Sequence, residues 1–171
     1  MTSLAKKLTS ILPADSHWLE VTPGERFTVR TSVDDTDGAY SMIEVVAQPR
    51  NGVPMHIHTR EDEHFLILEG SLHMANGDER LDVPAGAAVT VRKGVPHAWC
   101  NLGDKPVRML AVFSPGHIEA MFRQISSLAS DSLETLAAVA SDQFGTIIVG
   151  PPIAEGLYTL ASPRPAGTSE E

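Results

Sequence analysis

Between Trp18 and about Phe113 the apolar residues come in short clusters, many of them alternating with polar ones, and turn formers close each cluster. FTVRTSV, YSMIEVVAQ, HFLILEG, SLHM, AAVTV, HAWC and VRMLAVF are rich in β-branched and aromatic residues. PGER, DDTDG, PRNG, ANGD, PAG, RKG and NLGDKP separate them. Many short strands with regular turn chemistry predict an all-β sandwich or barrel rather than strand–helix units. No internal repeat is visible, so one barrel is expected.

The period changes on either side of this region. Leu4, Leu8, Ile11 and Leu12 fall at helical spacing and Pro13 stops the pattern. After Pro115, the residues Ile118, Met121, Phe122, Ile125 and Leu128 share one helical face. A second helix is expected from Ser132 to about Ala140, with Leu133, Leu136, Ala137 and Ala140 on its apolar side, and an extended piece follows at Thr146–Pro152. The domain reading is therefore a helical arm at 1–17, a barrel at 18–113, a helical extension at 114–152 and a flexible tail at 153–171.

Composition narrows the partners. With 13 basic against 22 acidic side chains the net charge is −9, and no basic run exists to bind phosphates, so a nucleic-acid partner is not expected. The apolar runs are too short to span a bilayer, and the first residues lack the continuous apolar stretch of a signal peptide. Cys100 is the single cysteine, which excludes an intrachain disulfide. A soluble, cytoplasmic protein is expected.

The chemistry concentrates in Pro54–Gly70, PMHIHTREDEHFLILEG. His56 and His58 are two residues apart, so on an extended chain both leave one face while Ile57 leaves the other. Glu63 opens the next strand and shares a face with Phe65 and Ile67. A hairpin between these two segments would place a carboxylate beside two imidazoles. His97 follows a proline-led turn in VRKGVPHAWCN. Histidine and carboxylate together suit one divalent transition metal: Fe, Mn, Ni, Co, Cu or Zn.

These residues resemble the two sequence motifs of the cupins. Gly52, His56, His58, Glu63 and Gly70 fall in order on the first motif, and Gly86, Gly94, His97 and Asn101 on the second. Arg92 stands where the pattern usually has proline, at a turn position that is not a ligand. The resemblance implies a jelly-roll barrel, a double-stranded β-helix, with a metal held by His56, His58, Glu63 and His97. The phrases TDGAYSMIE, FSPGHIEAMF and QFGTIIVGPP are similar to the small single-barrel cupins related to bacterial quercetinases.

That resemblance implies a metal-dependent dioxygenase acting on an enolic or aromatic small molecule, with Glu63 as both ligand and base. A non-catalytic small-molecule binder or metal sensor, and a metal-assisted isomerase or lyase, use the same ligands. Small cupins of this type are generally dimeric, and exposed sheet edges need cover, so a homodimer is expected.

Met42, Phe65, Ile67, His73 and Trp99 are candidate pocket-lining residues. His64 is expected to point away from Glu63, His17 and His117 to be structural, and Cys100 to be a small buried hydrophobe. Gly70, Gly86 and Gly94 are read as turn positions with unusual backbone angles.

Overall fold

The computed structural model describes residues 16–22, 24–128 and 133–154. The helix expected at Leu4–Leu12 and most of the expected tail lie outside the described residues. Among the described residues eleven strands follow in chain order: β1 (Leu19–Thr22), β2 (Glu25–Thr31), β3 (Ser41–Ala47), β4 (Gly52–His58), β5 (Asp62–Glu69), β6 (Ser71–Asn76), β7 (Glu79–Pro84), β8 (Ala88–Val91), β9 (His97–Cys100), β10 (Val107–Ser114) and β11 (Thr146–Ile148). Two helices, α1 (Glu119–Ser127) and α2 (Leu133–Val139), lie between β10 and β11. A wider helical turn at Ala140–Phe144 follows α2.

The strands form two antiparallel sheets, ordered β1-β2-β3-β10-β5-β8 and β11-β4-β9-β6-β7. This is the jelly-roll arrangement of an all-β barrel. Alternation decides which side chains fill it. In the first sheet the register aligns Phe27, Val45, Met109 and Ile67 in one inward row, and Val29, Ile43, Ala111, Phe65 and Val89 in the next. Trp99, Met74, Leu72 and Val83 answer them from the second sheet, all buried.

Two strands escaped the sequence reading. β1 is four residues long, and β7 (ERLDVP) is exposed at every position except Val83, so neither carries a clear apolar signal.

Glycines permit two tight approaches. A Cβ on Gly52 would lie 2.6 Å from Trp99 O and 2.7 Å from Cys100 Cβ, so only glycine lets β4 run this close to β9. Gly70 turns between β5 and β6 at φ 81°, in the left-handed region that disfavours any other residue. Gly86 and Gly94 likewise take positive φ, at 86° and 79°.

Polar side chains hold the frame from outside. Glu44, on the outer face of β3, accepts from Arg30 Nε and Arg108 Nε at 2.6 Å each. Burial alone would raise its carboxyl; the hydrogen bonds and charges of Arg108 and Arg30 outweigh burial and lower its pKa. Asn101 follows β9 and is fully buried. Its Nδ2 donates to Ala47 O at 3.0 Å and Lys105 O at 2.9 Å, and its Oδ1 accepts from Gly103 N at 3.0 Å. The motif asparagine thus ties the end of β3 to the loop before β10.

Two outcomes follow from these contacts. Asn101→Ala strands buried backbone groups and should cost about 2–4 kcal/mol, a fall in melting temperature of roughly 5–15 °C by calorimetry; an unchanged midpoint would count against the tie. For Glu44, a folded pKa below the unfolded one means its contribution is full above the ordinary carboxylate pKa and fades as pH falls through it. Glu44→Gln should therefore lower the urea midpoint at neutral pH and leave a smaller loss between about pH 5 and pH 3 than wild type shows. Parallel pH profiles for the two proteins would contradict the assignment.

Candidate metal centre

Three strands deliver four side chains to one point inside the barrel. His56 and His58 leave the inner face of β4, one pleat apart, while Ile57 faces the other way. His97 is the first residue of β9, directly opposite His56 in the ladder. Glu63 is the second residue of β5, paired with Phe113 and Val91.

β4 and β5 belong to different sheets, which corrects the hairpin expected between them. The imidazoles come from one wall and the carboxylate from the wall facing it. The result is the same juxtaposition, closed across the barrel instead of along a ladder.

All four side chains are buried, and one ligand atom from each lies within 4.8 Å of the others. His56 Nε2 and His58 Nε2 are 3.2 Å apart. Glu63 Oε2 is 2.9 Å from His97 Nε2 and 3.2 Å from His58 Nε2. The opposite ring nitrogens are occupied. His56 Nδ1–H donates to Pro54 O at 2.9 Å, and His97 Nδ1–H to Val95 O at 3.1 Å. His58 Nδ1 is bonded to Thr146 Oγ1 at 3.0 Å. Carbonyl partners on Nδ1 aim Nε2 at the cluster, the second layer of contacts that metal-ligating histidines usually have. A cation bonded at about 2.0–2.2 Å to each atom needs them roughly 3–4 Å apart, so this donor set fits one divalent transition metal.

Electrostatics agree with close coupling. Burial pushes the His56 imidazole down to about 3, helped by the charges of His97 and His58. Burial also opposes ionisation of Glu63, but hydrogen bonds from His58 and His97 outweigh it and hold the carboxyl well below its ordinary range. His97 is raised: burial works against its charge, and the contact with Glu63 prevails.

The cluster opens onto an apolar cavity of about 80 Å³. Phe65, Phe113, Met109 and Trp99 line its walls, and Met121, Phe122 and Ile125 of α1 with Ala137 of α2 cover it. Of the expected lining residues, Phe65 and Trp99 border it.

The other expected lining residues sit elsewhere. Ile67 is buried in the core row but does not border the cavity. Met42 takes the opposite pleat of β3 from Ile43. His73 lies on the outer face of β6 and pairs with Asp82. His64 turns outward to Thr90 Oγ1 at 2.9 Å, and Cys100 is buried, its thiol pushed up to about 11 by burial and by the charge of Asp82. His17 and His117 are both exposed. Arg92 pairs with Asp62 at 3.3 Å on the surface, outside the cluster.

Thr146 was not legible in the sequence. It lies opposite His58 only because β11 adds to the free edge of β4, and threonine carries no signal of its own.

Residues 43–113 match the family described as Cupin domain. The chain is 29% identical over 96 residues to the tetracenomycin polyketide synthase protein TcmJ of Streptomyces glaucescens, covering 52% of this chain and 63% of that protein. It is 22% identical over 115 residues to mannose-1-phosphate guanylyltransferase 2 of Escherichia coli O157:H7, 66% of this chain and 24% of that protein. It therefore spans less than two thirds of either relative. Among solved structures, an RmlC-like cupin from Shewanella frigidimarina superposes with a TM-score of 0.57 at 13% identity, over 67% of this chain and 96% of the other. Family match, sheet topology and shared barrel agree: residues 43–113 match the cupin domain, and the strands fold as a cupin-type jelly-roll barrel.

Proposed function

We propose that this cupin holds one divalent transition metal on His56, His58, Glu63 and His97 and acts as a metal-dependent dioxygenase of quercetinase type on an enolic small molecule. One observation carries the reading: three of the four clustered donors, His56, His58 and Glu63, form part of the wall of an apolar cavity. A metal bound there supplies a Lewis acid with coordination positions left open for ligand oxygen.

The chain's own residues supply the rest. Phe65, Phe113 and Trp99 exclude bulk water and bear on a flat or slender apolar body. Phe113 packs edge-on against His58, with ring centroids 5.7 Å apart, which limits tilting of that imidazole. Glu63 takes the enolic proton: the ligand O–H bond breaks, the proton passes to a carboxylate oxygen, and the enolate remains in the cavity.

Size narrows the ligand. About 80 Å³ is far below the roughly 300–1,000 Å³ of drug-sized pockets. A fused-ring flavonol would fit only with α1 and α2 displaced, whereas a slender enolic molecule suits the closed form. Polyketide chains alternate carbonyls with methylenes and enolise readily, so the name of TcmJ points the same way.

No described helix is long and apolar enough to cross a membrane, and a cytoplasmic homodimer completes the proposal. Oxygen uptake with a panel of linear diketones and flavonols tests the reaction. Consumption with the diketones supports it; binding without consumption would replace it with a non-catalytic binder.

Three variants test the roles. Protein purified without added metal should carry about one metal per chain, and His56→Ala or His97→Ala should abolish it, by elemental analysis. Full metal in both variants would remove the site. Glu63→Gln keeps shape and one coordinating oxygen but loses basicity. Metal-loaded, it should turn over roughly 10²- to 10⁴-fold more slowly, and undiminished turnover would leave Glu63 a ligand only.

A further inference from the structure

A second carboxyl borders the same cavity. Glu25 opens β2 on its inward face and is buried, alternating with exposed Arg26 and buried Phe27. It lines the cavity together with Val21 and Val53. Register places it far from the metal donors. Glu25 pairs with Ala47 and Ala47 with Val107, whereas Glu63 pairs with Phe113. Six residues of β10 separate those two rows, roughly 20 Å along the strand. On the opposite sheet, Val53 precedes His56 by three residues of β4, roughly 10 Å. The cavity therefore has a metal-donor end and a Glu25 end, with apolar walls between them.

A carboxyl in such a place is unfavourable unless hydrogen-bonded. Thr22 Oγ1 donates to Glu25 Oε2 at 3.0 Å, and no other side-chain partner of Glu25 is found among the described residues. Burial pushes the carboxyl up to about 7, against the pull of the Thr22 bond. Near neutral pH it therefore stands ready to donate as well as accept. Beyond the Thr22 bond, no side-chain contact among the described residues accounts for an acid here; an apolar residue would fill the position at lower desolvation cost.

We propose that Glu25, steadied by Thr22, is a specificity-determining residue that hydrogen-bonds a hydroxyl on the end of the ligand remote from the metal donors. The ligand class follows: a slender, mostly apolar molecule with an oxygen-chelating head at His56, His58, Glu63 and His97 and a hydroxyl at its tail. This inference rests on the metal-anchored reading and adds the other end of the ligand to it. Sites built to hydrogen-bond a hydroxyl reject the analogue lacking it, because their own buried polar group is then left unpaired.

The test uses the full chain loaded with Co(II) and a series of alkyl hydroxamic acids of increasing length, each made with a methyl and with a hydroxyl terminus. Hydroxamate binding at cobalt is read from its visible absorption band. At the length that reaches Glu25, wild type should prefer the hydroxyl-ended member by about tenfold, the factor that one net hydrogen bond carries. Glu25→Leu should lose or reverse that preference, and Glu25→Gln, which still donates and accepts, should keep it. Melting temperatures at least equal to wild type in Glu25→Leu would show that the fold survives. The same preference in wild type and Glu25→Leu, or none in wild type at any length, overturns the role of Glu25 while leaving the metal reading in place. A cobalt band unmoved by every hydroxamate overturns the metal-anchored reading and this inference together.

Discussion

Three imidazole nitrogens and one carboxylate oxygen meet inside an apolar barrel, where each would be unfavourable alone. Glu63 Oε2 sits within 2.9 Å of His97 and 3.2 Å of His58, so the carboxylate stays charged despite its burial. The rest of the structure is arranged to keep these four atoms together. Carbonyls of Pro54 and Val95 and the hydroxyl of Thr146 fix the far side of each ring. Gly94 N donates to His58 O at 2.7 Å, tying the turn before His97 to the end of β4. Gly52 lets β4 and β9 approach closely enough for His56 and His97 to sit side by side.

The C-terminal segment is part of the site rather than an appendage. β11 pairs with β4, and Gly145 O accepts from both Thr59 N–H and Thr59 Oγ1–H at 3.0 and 2.9 Å. That docking carries Thr146 to His58 and sets the Ala140–Phe144 turn over the cavity. The apolar face of α1 then covers Phe27 and Phe113 through Phe122, with ring centroids 5.5 and 5.6 Å away. Burial of that face stabilises the barrel and closes the cavity at once.

Residues of short-range period were legible in the sequence; residues brought together by topology were not. The two-residue spacing of His56 and His58 states their shared face outright, and Glu63, Phe65 and Ile67 alternate in the same way. The helical face of α1 was equally plain from Ile118, Met121, Phe122 and Ile125. The facing of β4 and β5 across the barrel was not, because strand pairing depends on crossovers that no local pattern encodes. Thr146, 88 residues from His58, and Glu25, at the head of a strand, are common residue types with no motif around them. Met42 and His73 take the outer pleats of β3 and β6, where the buried positions belong to their neighbours Ile43, Leu72 and Met74.

The proposed metal centre depends on the identity of its four donors, and X-ray absorption at the edge of the metal that co-purifies tests it most directly. The predicted result is one metal bonded to three imidazole nitrogens and at least one carboxylate oxygen at about 2.0–2.2 Å, with the imidazole signal reduced when His58 is replaced. A metal whose shell is unchanged by loss of His58, and altered instead by loss of the surface pair His73 and Asp82, would contradict it.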